Sequence, residues 1–317
     1  MDCLAQRDPP ACRHPWWPVL LLLWLLIPAS SRAGPSVLLV LSQGSPPYRD
    51  MASALVEQLP QWQVQSLVVE RYSPTAVQAD LIVTLGAQAA LEVLQQPLHW
   101  PVLSVLIPRQ TFVSLSQQPH LLPRLEQGLL SAIYLEQPVA RQLQLARLIS
   151  PSIKQMGVVV GPSSHEQLPL IAAAIEAQGW QQRLARFSHN ENPIKLLEPL
   201  SESSDAILVV PDKAEFNRSI SKWLLLLSYR RNIPLIGFSS RYVDAGATAA
   251  VFSTPASIVR DTAAWLRRLQ QQTLRLPAPA FPAFFEVRTN PNAAQSIGLV
   301  LPSQTAIEAI MSRNQQP

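Results

Sequence analysis

Two patterns of apolar residues alternate along the chain. Short unbroken apolar runs read as strands buried on both faces, and longer stretches with apolar residues every three or four positions read as amphipathic helices. The clearest instance runs from Asp80 to Leu94. Leu81 to Leu85 predicts a buried strand, Gly86 breaks it, and Ala87 to Leu94 predicts a helix with Ala89, Ala90, Val93 and Leu94 as its apolar stripe. Around this unit the pattern predicts strand Val37 to Leu41, helix Tyr48 to Leu59, strand Gln63 to Val69 and strand Val102 to Leu106. It weakens between Arg109 and Gln137, where only Leu129 to Leu135 reads as a strand.

After a helix at Val139 to Ile149 the alternation restarts. It predicts strands at Met156 to Val160, Gln182 to Phe187, Ala206 to Val210 and Leu235 to Phe238, with helices at Glu166 to Gln178 and Phe216 to Arg230. A strand at Thr248 to Ser253, a helix at Ala256 to Gln271, a strand at Phe284 to Thr289 and a helix at Ser303 to Met311 close the chain. Strand-helix alternation of this kind implies mostly parallel, doubly wound sheets. The expected fold class is α/β, with two such lobes and a ligand cleft between them. The expected divisions are 34–136 for the first lobe and 137–254 for the second. Residues 255–317 then return mainly to the first lobe, with a further crossing and a C-terminal helix. Hinges are expected near Glu136 to Ala140, Thr254 and Pro282.

The first 33 residues follow another pattern. Arg7, Arg13 and His14 precede an apolar run from Trp16 to Ile27, and Ser31-Arg32-Ala33 offers small residues before a cleavage point. This predicts a cleaved secretory signal. The apolar run falls short of the about 20 residues of a spanning helix. Both cysteines, Cys3 and Cys12, lie inside it, so the mature chain is expected to have no disulfide, thiolate metal site or cysteine nucleophile. Apolar residues make up 48% of the 317, and charged residues only 15% with a net charge of +4. No basic run or basic-aromatic stripe is visible, so no nucleic-acid partner is expected.

Candidate chemistry is sparse. None of His14, His99, His120, His165 and His189 has a partner at metal-ligand spacing, and no nucleotide, metalloprotease or nucleophile-elbow motif occurs. No metal, cofactor or catalytic set is expected, and no enzymatic activity. Glu198, Glu202 and Asp205 read as a solvated turn. What remains lies at predicted strand ends, where open α/β sheets bind ligands. Thr84, Gly86, Ala87 and Gln88 form a strand-turn-helix whose free N–H groups and positive helix end suit a small anion. A bulky residue at Gly86 is expected to block ligand approach with the fold intact. Ser42, Ser163, Ser164, Asp212 and Ser239 are further candidates. Ser163 and Ser164 also suit an N-cap. Asp212 suits either a ligand amine or the cap of the following helix.

Three stretches together resemble the substrate-binding proteins of ABC transporters, in the tryptophan/tyrosine-type family. They are ADLIVTLGAQAA at Ala79 to Ala90, RQLQLARLISPSIKQMGVVVGPSS at Arg141 to Ser164, and FFEVRTNPNAAQSIGLVLP at Phe284 to Pro302. The resemblance implies a type I periplasmic-binding-protein fold and a monomer. It further implies a periplasmic address and an uptake function, in which a small organic anion or amino-acid-like ligand is passed to a membrane permease with its ATPase. That family commonly has Asp-Pro where this chain reads Leu106-Ile107-Pro108, and Asp-Tyr where it reads Phe252-Ser253-Thr254-Pro255. These differences keep a second expectation open: a sensory or accessory binding subunit on the same fold, coupled to a membrane sensor rather than to transport.

Overall fold

The protein is described by a computed structural model over residues 34–76, 78–188, 191–212, 214–270 and 275–313. The expected export segment, residues 1–33 with both cysteines, lies outside these residues, as does His189.

Five parallel strands make the first sheet. They are β1 (Ser36–Leu41), β2 (Gln63–Val68), β3 (Leu81–Leu85), β4 (Val102–Ile107) and β5 (Leu130–Tyr134), in the order β2-β1-β3-β4-β5. Helices α1 (Pro46–Gln58), α2 (Ala87–Leu94), α3 (Arg109–Ser116) and α4 (Leu122–Glu126) connect them. Every residue of β3 is buried because both sheet faces are covered. Leu81, Val83 and Leu85 join one core with Met51 and Leu55 of α1. Ile82 points into the other, with Ala89, Ala90, Val93 and Leu94 of α2. The stretch with a weak pattern holds two helices. The α3 sequence RQTFVSLS mixes Thr, Val and Ser with poor helix propensity, and it is held by burying Phe112 and Leu115.

The second sheet follows α5 (Val139–Ile149). Its strands are β6 (Gln155–Val160), β7 (Gln181–Arg186), β8 (Ala206–Val209), β9 (Leu235–Gly237) and β10 (Ala249–Phe252). Its helices are α6 (Leu168–Glu176), α7 (Pro193–Glu202), α8 (Ala214–Arg231) and α9 (Ser240–Asp244). A 3-10 turn at His165–Gln167 precedes α6, so the regular helix starts later than its sequence pattern predicts. In β6, Met156, Val158 and Val160 meet α5 and α6, while Val159 meets α7 and α8.

The supposed turn at Glu198 and Glu202 is the helix α7. Asn192 caps it by accepting the Ile194 N–H, Pro193 starts it, and Leu197 and Leu200 are buried beneath it. Glu198 and Glu202 both reach Arg231 of α8. Asp205 accepts the N–H groups of Lys154 and Gln155, each at 2.8 Å, and so fixes the start of β6.

Four elements finish the chain: α10 (Pro255–Gln270), β11 (Glu286–Thr289), α11 (Pro291–Ser296) and α12 (Gln304–Arg313). Helix α10 lays Ile258, Val259, Ala263, Leu266 and Leu269 into the first-sheet core. Beyond it, Leu276 N–H donates to Gly128 and Tyr134 N–H to Ala280, so this segment runs along β5. β11 then pairs antiparallel with β10, giving the second sheet the order β11-β10-β9-β8-β6-β7. Ile307 and Met311 of α12 complete the second-lobe core. The chain therefore passes between lobes at 135–138, 253–255 and 282–285.

Candidate ligand-binding cleft

Parallel strands deliver all their outgoing turns to one end of a sheet. Here the turns leaving β4 and β5 of the first sheet and β6, β8, β9 and β10 of the second line a single cavity of about 960 Å³. That is the size of a small-molecule site. The first lobe contributes Pro108, Gln110, Thr111, Ser114, Leu115 and Leu135 to Gln137, with Leu91 of α2. The second contributes Pro162, Ser163, Glu166, Asp212, Phe238 to Arg241 and Val251 to Pro255.

Three of the candidate residues line this cleft: Ser163, Asp212 and Ser239. Asp212 follows β8 by three residues. Its carboxylate turns to the β6–α6 loop and accepts the Ser164 N–H at 2.8 Å, the Ser164 hydroxyl at 2.6 Å and the Ser163 N–H at 3.2 Å. Ser164 is fully buried, and its hydroxyl also accepts the Gly161 N–H at 2.9 Å. Its role is to tie that loop, which leaves Ser163 at the cleft wall. Ser239 caps α9 by accepting the Tyr242 N–H.

The strand-turn-helix at β3 and α2 reaches the cavity wall through Leu91. Thr84, Gly86, Ala87, Gln88 and Ser42 are absent from the cleft wall. The Ser42 hydroxyl accepts the Ala89 N–H at 2.9 Å and so occupies part of the helix end expected to hold an anion. Gly86 has φ +98°, and a Cβ there would stand 2.5 Å from Ser42 Oγ and 2.8 Å from the Tyr48 hydroxyl. Its glycine is required for packing and backbone geometry. Thr84 is fully buried, and its hydroxyl has no hydrogen-bond partner, like that of its register neighbour Ser104.

Several wall residues escaped the sequence reading. At the end of β4 the ladder skips Leu106, which has φ +59°, so that Val105 pairs with Ile133 and Ile107 with Tyr134. This bulge sets the exit of the chain through Pro108 into the cleft. Glu136 follows β5 and accepts the Arg109 N–H at 3.0 Å. Burial pushes its carboxyl above the ordinary range, against the pull of that N–H and of the Arg109 charge. Leu115, Leu135, Phe238 and Phe252 supply apolar surface, while Glu166 and Arg241 add charge. The available signal was position, because Glu136, Phe238 and Phe252 all fall at the ends of predicted strands.

Two crossings meet at the cleft wall, where Gln137 donates to Ser253. Arg141 donates to the Gln137 amide oxygen and to the Pro282 carbonyl, and its guanidinium lies 4.6 Å from the Phe285 ring centre. Burial lowers the Arg141 guanidinium to about 10, opposed by the nearby Asp261. The Asp261 carboxylate accepts the Phe284 N–H at 3.1 Å, and burial raises its carboxyl against that bond. One polar network thus touches the first and third crossings and α10.

No protein-family model matches the chain, and no curated protein matches it in sequence. Among solved structures it is similar to a ligand-free, open substrate-binding protein with adhesive properties from Clostridium difficile. The identity is 16% and the TM-score 0.68, covering 85% of this chain and 96% of that one. It is also similar to an ABC domain in complex with L-Trp from Streptococcus pneumonia, at 16% identity and TM-score 0.56 over 86% and 97% of the two chains. A conserved domain protein from Vibrio cholerae gives 16% identity and TM-score 0.56 over 87% and 97%. The chain has the two-lobed α/β fold of substrate-binding proteins, the type I periplasmic-binding-protein architecture.

Proposed function

We propose that the protein is a periplasmic solute-binding subunit of an ABC-type uptake system that closes its lobes on an amino-acid-like molecule. The observation that carries this reading is the cavity of about 960 Å³ walled by strand ends from both lobes. A molecule that touches both walls favours the closed form by its differential affinity. Of the two expected ligand classes, a small anion suits the walls less well, since among the described lining residues Glu136, Glu166 and Asp212 outnumber the cation Arg241. A ligand ammonium at Glu136 or Glu166 and an apolar body on Leu115, Phe238 and Phe252 use what the walls offer. Among the described residues the lining pairs no nucleophile with a base, which supports binding rather than catalysis. A permease with its ATPase is the proposed partner. The apolar segment Trp16 to Ile27 supports export. Among the described residues no helix is long and apolar enough to cross a membrane.

A thermal-shift screen against amino acids, amines, organic acids and sugars tests the reading, because a ligand bound only by the folded state raises Tm. A rise with amino acids or amines that is lost in Glu136→Gln is the expected result. Shifts confined to organic acids would overturn the ligand class, and no shift with any class would favour the sensory or accessory subunit.

A further inference from the structure

Helix α8 keeps an unusual outer face. Trp223 and Leu226 are each 37% exposed and Tyr229 is 61% exposed. Their spacing of three residues puts them on one side of the helix. Arg218, Lys222 and Arg230 are exposed beside them. From 218 to 231 the helix has no Asp or Glu, and its remaining cation, Arg231, turns to Glu198 and Glu202 of α7. The inner side, with Ile220, Leu224 and Leu227, is buried in the second-lobe core. The linear sequence shows no basic-aromatic run, but helical winding gathers one.

A solvated helix face ordinarily mixes both charge signs and hides its aromatic rings. Between residues 218 and 231 this face carries one sign and displays Trp, Leu and Tyr. Such a composition matches the headgroup layer of a bilayer, where Trp and Tyr rings sit at the apolar boundary and Lys and Arg extend their charged ends to lipid phosphates. We propose that the outer face of α8 is a docking surface for an anionic phospholipid bilayer. Residues 218–231 of α8 do not line the ligand cleft, so docking through them leaves the cleft open. Attachment is peripheral and electrostatic, and salt weakens it. This surface is independent of the ligand reading.

The test uses the full chain and sedimentation with vesicles of phosphatidylcholine, with and without one-third phosphatidylglycerol. The apolar segment at residues 16–27 is common to all variants, so the measurement is the difference between them. Wild type is expected to favour anionic vesicles. Lys222→Glu with Arg230→Glu should cut that partition at least about tenfold, since each basic residue contributes appreciably at an anionic surface. Lys222→Gln with Arg230→Gln should give a smaller loss in the same direction. Thermal melts confirm that these surface variants fold. Equal partition of wild type and both variants would overturn the proposal, as would equal binding to neutral and anionic vesicles. Self-association lost on charge reversal, with vesicle binding unchanged, would also overturn it and make the face a contact between copies.

Discussion

The Gln137 amide donates to the Ser253 hydroxyl at 2.5 Å, across 116 residues of chain, and so joins the first and second passages between the lobes. Arg141 extends this link to the third passage by donating to Gln137 and to the Pro282 carbonyl. Any change in the angle between the lobes must bend these segments together.

Removing Arg141 should therefore loosen the hinge as well as destabilise the fold. Arg141→Met leaves the Gln137 oxygen and the Pro282 carbonyl without this donor, and takes a cation from beside the buried Asp261. The expected loss is about 2–3 kcal/mol, the scale of hydrogen bonds to a charged group. Asp261→Asn in the same chain should recover part of it, because the buried charge that Arg141 helped to balance is then gone. Urea unfolding of both single variants and the double variant measures the coupling. Strictly additive losses would show that the two residues act separately.

Ser42 and Gly86 should behave as structural residues. Ser42→Ala removes the acceptor of the Ala89 N–H at the start of α2, at an expected cost of about 1 kcal/mol. Gly86→Val demands more, since it forces a β-branched residue into positive φ with its Cβ 2.5 Å from Ser42 Oγ. The loss should exceed about 2 kcal/mol and lower Tm by several degrees. Calorimetric melts decide. A Gly86→Val protein as stable as wild type would restore the idea that this position only controls ligand approach.

The β3–α2 unit was legible because each local preference agrees with its setting: an unbroken apolar strand, a glycine at positive φ and an alanine-rich helix. Helices α3, α7, α9 and α11 were not. They are short, and they are held by tertiary burial of a few side chains such as Phe112, Leu197 and Tyr242. The cleft was partly legible. Ser163, Asp212 and Ser239 are polar residues directly after apolar runs, which marks them in the sequence. Glu136 was hidden by the weak pattern before it, and Phe238 and Phe252 read only as strand continuations. Nothing in the sequence shows that Ser42, 47 residues away, takes the Ala89 N–H. The basic and aromatic residues of α8 stand three and four apart, so only the helix makes them a surface.

Asp212 should matter through the loop it holds. Its carboxylate accepts from both backbone and side chain of Ser164 and from the Ser163 N–H. Asp212→Ala leaves those donors facing a partly buried space, with an expected loss of about 2 kcal/mol. Ser163 would then lose its fixed place in the cleft wall. Hydrogen exchange should speed up at residues 161–167 and stay unchanged in β1. Uniform change across the protein would mean that Asp212 acts through global stability alone.

Glu136 gives the protein a pH dependence whose sign follows from its setting. Its carboxyl is raised by burial, so the folded protein holds this proton more tightly than the unfolded chain. With more protons bound in the folded state, stability falls as pH rises from the ordinary carboxylate range through the raised folded value. Below that range the carboxyl is protonated in both states and the penalty is absent. Glu136→Gln keeps an oxygen to accept the Arg109 N–H and removes the charge. The variant should match wild type in acid and exceed it near neutral pH. Chemical denaturation across the range reads this gap directly. A cationic ligand in the cleft would reverse its functional meaning, since the ionised carboxylate is then the attractive form. Binding of such a ligand should weaken on acidification in wild type and lose that dependence in Glu136→Gln. A stability gap that widens toward acid would show that ionised Glu136 is favoured by the fold, contrary to its burial.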